Sequence, residues 1–519
     1  MMRAPHAIVI GAGIGGLAAS LDLARAGFAV TILEAADTAG GKVREVGGDR
    51  VRIDAGPTVL TMRDVFAQIF DDAGDSLERH VILRPAEILA RHAWNDRGHL
   101  DLFADAARTA DAIGRFAGAA EARGYHAFRA RAAEIFQTLD RSFLRAQRPS
   151  MAHLTARAGI GRLLRINPFS TLASSLEGFF RDPRLRQLYG RYATYCGSAP
   201  NRCPATLMLV AHVEQSGVWL VEGGMRRLVD ALADLVVRRG VSLRTSSSVA
   251  EITVSSGRAR GVVLAGGERL EADIVLCNAD AQAIAHGGFG DVCRHAVVPM
   301  PRAMRSLSAM TWAIEASTTG FPLERHNVFF SEAPGSEFEE IFGRGVLPAK
   351  PTLYVCAQDR GLGQPEDAAP ERLLCLTNAP AIGDTHRFSM TEIEQCETRM
   401  AAAMRRCGLT LGAPRLKSVT TPNQFAALFP HTGGALYGPV SHGWTASFQR
   451  PGARSRLPGL YLAGGSVHPA PGLPMAALSG RLAAACAIAD RASTRPWRRV
   501  AMSGGTSTRS ATTAARGSP

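Results

Sequence analysis

The N-terminal end of the chain carries a pattern that few folds accommodate. Ala7-Ile-Val-Ile10 is a short apolar run, β-branched at three of its four positions, and predicts a buried strand. It runs directly into Gly11-Ala-Gly13-Ile-Gly15-Gly16. From Leu17 onward, apolar residues at 17, 21 and 24 share one helical face, and Gly27 stops the helix. Val30-Thr-Ile-Leu33 predicts a second strand, which ends at Glu34.

This is a βαβ unit with its glycines at the strand-to-helix turn. Gly11 permits the tight turn, Gly13 lets the backbone approach a pyrophosphate, and Gly16 lets helix and strand pack closely. The helix N-terminus offers free N–H groups and the positive end of its dipole to phosphate. Glu34, eighteen residues beyond Gly16, is placed to accept hydrogen bonds from ribose hydroxyls. The unit predicts a dinucleotide site.

The net charge of +13 invites a polyanion-binding reading, but it is local. Residues 141–176 hold six Arg and 491–519 hold six more, with no acidic residue in either segment. Without those twelve, 47 basic residues face 46 acidic ones. A nucleic-acid-binding surface is therefore excluded. Nine scattered cysteines form no CxxC and no cluster with zinc-ligand spacing, so no metal site is expected and the thiols read as reduced. No apolar run of 18 residues is evident, so no membrane-spanning helix is expected.

Further blocks extend the dinucleotide reading. Ala39-Gly40-Gly41-Lys42-Val43 follows Glu34 closely, and Asp54-Ala-Gly56-Pro57 comes next. Trp219-Leu-Val-Glu-Gly223-Gly224-Met225 leads into a helix with apolar 228, 232, 235 and 236, followed by strands near 241–244, 249–254, 261–264 and 274–277. Gly459-Leu-Tyr-Leu-Ala-Gly464-Gly465 is again strand then glycine. The turn at Gly40-Gly41-Lys42 resembles that of the FAD-binding amine oxidase and carotenoid desaturase superfamily. Leu462-Ala-Gly-Gly-Ser-Val-His-Pro-Ala-Pro-Gly-Leu-Pro-Met-Ala resembles the signature of bacterial phytoene-desaturase-type FAD enzymes, the carotenoid/retinoid oxidoreductases. Ala470 departs from the family's usual Gly.

Within that family, six stretches look like the 1-hydroxycarotenoid 3,4-desaturases of purple photosynthetic bacteria. They are Gly56–Met62, Arg91–Trp94, Gly190–Gly197, Ala211–Glu214, His326–Phe330 and Phe429–Gly438.

The resemblance implies an α/β fold: a Rossmann-like FAD-binding domain assembled from three segments (1–70, 217–290 and 455–490), with a mixed-sheet substrate domain and helical cap (71–216 and 291–454). It implies FAD held by Gly11, Gly13, Gly15, Gly16, Glu34, Gly41, Lys42, Val249, Gly464, Gly465, Pro474 and Met475. It also implies insertion of a C3–C4 double bond into an acyclic hydroxylated carotenoid, with oxygen or a quinone as electron acceptor. Removing two hydrogens from adjacent carbons needs such a redox cofactor, because no side chain accepts a hydride.

The proton acceptor stays open among Glu214, His92, His212, His431 and His468, while Arg191, Tyr192 and Tyr195 are candidates to bind the substrate hydroxyl. Aromatics at 6% favour an aliphatic tunnel. The basic, apolar segment 141–176 fits a membrane interface, which places the protein on the cytoplasmic side, peripheral to the inner or intracytoplasmic membrane. Residues 491–519 read as a disordered basic tail. Rival readings are a phytoene desaturase, a carotenoid isomerase or a flavin amine oxidase. A rival of another class is a non-catalytic lipid-binding protein on the same fold.

Overall fold

The computed structural model describes residues 4–48, 50–95, 98–147, 150–362 and 370–494. β1 (His6–Ile10) and β2 (Ala29–Leu33) lie inside a five-stranded parallel sheet whose order is Leu460–Leu462, Ile274–Cys277, β1, β2, Ser242–Arg244. Residues far apart in sequence thus share one sheet, and its buried strands are the apolar runs recognised above. The helix α1 (Ile14–Arg25) follows β1. It begins inside the glycine motif, at Ile14 rather than Leu17, because Gly13 is extended and serves as its N-cap.

The helix Leu473–Thr494 packs along α1. Their contact needs glycine: a Cβ on Gly480 would lie 2.0 Å from the Gly15 carbonyl oxygen. Leu473–Ser493 is long and apolar enough to cross a membrane, contrary to the sequence expectation. Its Ala477, Ala483, Ala484 and Cys486 are wholly buried against protein, so its apolar character is that of a core helix. The helix also runs four residues into the segment read as a tail; the remainder, 495–519, lies outside the described residues.

A seven-stranded mixed sheet forms the second layer, in the order Leu416–Thr420, Ser308–Ala316, Glu371–Ala379, Leu353–Ala357, His326–Phe329, Ile88–Asn95, Gly98–Phe103. Only the His326–Phe329 and Ile88–Asn95 pair is parallel. Trp312 sits mid-strand, opposite Cys375 and Val419, with no exposure. A helical layer spans 106–215 and starts at Asp105, whose carboxylate caps the Ala107 and Arg108 amides. In Ala119–Leu139 the buried side chains Tyr125, Phe128, Ala132, Ile135 and Leu139 recur at helical spacing. Of these, Tyr125 and Phe128 pack on Tyr189 of the helix Pro183–Gly190, and Phe128 also on Phe180 just before it.

The segment 141–176 divides between core and surface. Phe143, Leu144, Leu154, Leu163 and Ile166 are buried, whereas Met151, Ile160, Leu164 and Phe169 are exposed. None of the nine cysteines forms a disulfide with another described residue, and all nine are buried.

Candidate active site

The strand-to-helix turn after β1 forms one wall of a cavity of about 1070 Å³. Gly11 adopts φ +93°, a conformation that L side chains rarely occupy. A Cβ on Gly13 would sit 2.9 Å from Asn278 Nδ2, and one on Gly15 would sit 2.5 Å from Asn278 Oδ1. The Asn278 Oδ1 is itself buried without a partner. Glu34 closes the far end, with its carboxylate accepting from the Ala12 amide at 2.7 Å and the Ala36 amide at 2.9 Å. Both bonds aim the carboxylate along the cavity and leave lone pairs for hydroxyl donors. Bare backbone, helix N-terminus and aimed carboxylate together fit a dinucleotide.

Gly11, Gly13, Gly15, Glu34, Gly41, Lys42, Val249, Gly464 and Gly465 all line this cavity. Gly16, Pro474 and Met475 do not. Gly16 serves packing, since a Cβ there would lie 2.1 Å from the Gly11 carbonyl oxygen. Pro474 and Met475 fall in the first turn of the C-terminal helix, where Leu473 and Ala476 reach the cavity instead. Lys42 donates from Nζ to the Leu436 carbonyl at 2.6 Å and stands over the Phe429 ring. Burial lowers its pKa. Arg450, missed in the sequence, ties the loops of the cavity together by donating to the carbonyls of Tyr437, Pro439 and Gly465.

The acid/base candidates separate on the same test. Only His431 lines the cavity. His92 is buried, stacked near Phe330, with burial lowering its pKa to about 3. His468 has Nε2 at the Ala146 carbonyl, 3.1 Å away, and burial lowers its pKa to about 4. His212 packs on Phe136 in the helical layer. These three are scaffold histidines.

Glu214 also stands behind the wall, but it connects to the cavity. Its Oε2 accepts from the Tyr192 hydroxyl and its Oε1 from the Tyr195 hydroxyl at 3.1 Å. Arg191 Nη2 donates to the Tyr195 oxygen at 3.2 Å. Arg191 and Tyr195 line the cavity; Tyr192 does not. Burial raises the Glu214 pKa, while the two hydroxyls and Arg191 oppose that rise.

A second polar group on the wall escaped the sequence reading. Tyr354 bonds Thr58 Oγ1 at 2.6 Å and His326 Nδ1 at 2.8 Å. The expectation of an aliphatic tunnel is also overturned: Phe289, Phe330, Phe338, Phe425, Phe429, Tyr195, Tyr354 and Tyr437 all line it. Aromatics are few in the chain, but composition does not report where they gather.

Flavin-containing amine oxidoreductases match residues 14–488 of this sequence. The chain belongs to that family. A hydroxyneurosporene desaturase from Rubrivivax gelatinosus is 52% identical, covering 99% of this chain and 98% of its own. Another from Cereibacter sphaeroides is 44% identical, covering 94% and 98%. Among solved structures, an oxidoreductase from Methanosarcina mazei aligns with TM-score 0.55 at 16% identity, over 92% of this chain and 99% of its own. Cyclohexylamine oxidase from Brevibacterium oxydans aligns with TM-score 0.54 at 15% identity, over 94% and 100%. The chain is an FAD-dependent oxidoreductase with the α/β fold of that family, and the glycine cradle with Glu34 suits the cofactor.

Proposed function

We propose that this oxidoreductase introduces the C3–C4 double bond into acyclic carotenoids hydroxylated at C1. The observation that carries the reading is the cavity itself. One continuous space joins the dinucleotide cradle to Arg191 and Tyr195, in a chain that follows hydroxyneurosporene desaturases over nearly its whole length.

Bound FAD supplies the two-electron acceptor that no side chain provides. The residues of the chain orient the substrate and keep the site dry. The C1 oxygen is separated from C3 by C1 and C2 alone, so whatever holds that hydroxyl also positions the reacting carbons. Arg191 is half-buried on the cavity wall, has no carboxylate within 4 Å among the described residues, and uses one donor on Tyr195. Its remaining N–H groups are available to an oxygen in the cavity. Loss of such a bond leaves buried donors unpaired, which is how a site rejects a substrate lacking the hydroxyl. The aromatic walls exclude water and lie against the polyene.

The substrate's hydrophobicity places the enzyme at a lipid surface, peripheral to the inner or intracytoplasmic membrane. Ile160, Leu164 and Phe169 are more than 60% exposed, and Trp444 packs edge-on against Phe169. Arg157 and Arg162 stand in the same acid-free stretch with no carboxylate within 4 Å among the described residues. Arg145 instead bonds Asp140 and Asp64, and Arg165 lies near Glu134. We assign FAD binding to residues 1–70, 217–290 and 455–490, and substrate binding with membrane contact to 71–216 and 291–454. Oxygen or a quinone reoxidises the cofactor.

Product analysis after turnover of liposome-embedded 1-hydroxylated and plain acyclic carotenoids tests the reading. A 3,4-desaturated product from the hydroxylated substrate alone is expected. Equal use of both would overturn it. Anaerobic turnover with and without added quinone identifies the acceptor.

A further inference from the structure

We propose that Glu214 receives, by way of the Tyr195 hydroxyl, the proton that the carotenoid loses. The inference rests on the desaturase reading above. Glu214 is 6% exposed and has no cation within 4 Å among the described residues. A buried carboxylate without a direct ion pair is costly, and here it is held by two phenols. One of them, Tyr195, forms part of the cavity wall. The path from the cavity to Oε1 is therefore a single hydroxyl. Arg191 donates to the oxygen of that hydroxyl, which orients its O–H toward Glu214.

In the step, the C4–H electron pair would leave with its hydrogen as hydride, FAD held in the glycine cradle would supply the two-electron acceptor, and the C3–H electron pair would become the new π bond. The C3 proton passes to the Tyr195 oxygen as the Tyr195 proton passes to Glu214 Oε1. The carotenoid would thus lose two electrons to the bound flavin, and the proton would rest on Glu214.

The other hydroxyl relay on the wall runs from Tyr354 to His326. A proton delivered there creates a buried cation beside Arg325 and Arg191, and burial already lowers the His326 pKa to about 3. A proton delivered to Glu214 neutralises a buried anion. Of the two tyrosine relays, charge balance selects the one to Glu214, which acts through Tyr195 and is thus a positioning and proton-accepting residue rather than one that touches substrate.

Glu214→Gln holoenzyme, supplied with 1-hydroxylated carotenoid in liposomes without oxygen, provides the test. Expected is a fall of about 100-fold or more in single-turnover flavin bleaching. FAD content and carotenoid binding, read by flavin fluorescence quenching, stay as in wild type. With substrate deuterated at C3, the isotope effect grows in Glu214→Gln, and Glu214→Asp recovers part of the rate. Unchanged bleaching, or an unchanged C3 isotope effect in either variant, overturns the proton route. A wild type that fails to turn over the hydroxylated carotenoid overturns the desaturase reading itself, whatever the variants do.

Discussion

Asp54 and Gln358 grip each other across 304 residues of sequence: Gln358 Oε1 accepts from the Asp54 amide at 3.0 Å, and Gln358 Nε2 donates to the Asp54 carbonyl at 2.8 Å. Asp54 also accepts from the Met225 amide at the start of a helix beside the parallel sheet. The pair joins the short strand Arg52–Asp54 to the end of Leu353–Ala357 in the seven-stranded sheet. Gln358→Ala leaves a buried amide and carbonyl unpaired, at about 2–4 kcal/mol. A lowered thermal midpoint of the holoenzyme, with faster loss of flavin fluorescence into the supernatant, checks this.

Gly480 lies outside the cavity, so Gly480→Ala separates packing from cofactor contact. The new methyl meets the Gly15 carbonyl and pushes the C-terminal helix off α1. Overpacking of this kind costs about 1–3 kcal/mol. The purified variant is expected to carry less FAD than wild type, with binding restored in part by excess cofactor during refolding. Full flavin occupancy without added FAD would contradict the close-contact account.

Glu34→Gln keeps the shape but replaces one of two acceptor oxygens with a donor. The amides of Ala12 and Ala36 both need an acceptor, so one is left facing an NH₂ group. Loss of about 1.5–3 kcal/mol weakens FAD binding about 10- to 100-fold. Flavin titration of apoprotein measures it.

Arg191→Lys removes donors at the proposed hydroxyl site, and Tyr195→Phe removes the oxygen that takes one Arg191 N–H and so sets the guanidinium's position. Each is expected to reduce the preference for hydroxylated over plain carotenoid about 10-fold or more, about 1–2 kcal/mol of discrimination. Competition between the two substrates in one reaction reads the ratio directly. A preserved preference in both variants would remove Arg191 and Tyr195 from substrate recognition.

Acid should unfold the protein through its buried histidines. Burial lowers the pKa of His92 and His326 to about 3, and of His442 and His468 to about 4. Unfolded, each titrates near 6.5 and binds a proton that the folded form refuses. Their neutral forms suit the fold above about pH 6.5, and stability is lost as pH falls from there toward 4. The slope is about 1.4 kcal/mol per pH unit for each such histidine. Raised carboxyl pKa values at Glu214 and Glu337 act the other way and soften it. His92→Phe, which retains a ring against Phe330, is expected to flatten the dependence of the urea midpoint on pH in this window.

The cofactor end was legible because it is local. Strand, glycines, helix and Glu34 follow each other within one βαβ unit, and their spacing carries the geometry. The substrate end was legible only in part. Arg191, Tyr195 and Glu214 stood out as polar residues among apolar ones, yet nothing in the sequence showed that Tyr192 turns away from the cavity. The Thr58–Tyr354–His326 group was hidden because its members come from a loop after Asp54 and from two neighbouring strands. Lys42 reaching Leu436 is a contact across 394 residues. Such pairs are set by sheet order, which single-chain periodicity does not encode.

The parallel sheet imposes an order of events on the newborn chain. β1 waits for Ile274–Cys277 on one side, and that strand waits for Leu460–Leu462. The helix that presses on α1 comes later still. On the ribosome β1 emerges long before Ile274–Cys277, which flanks it, so the nucleotide cradle forms only once Leu460–Leu462 has been made. Cofactor capture therefore waits for these distant segments, and a chain cut before residue 460 has a flavin fold that lacks its edge strand.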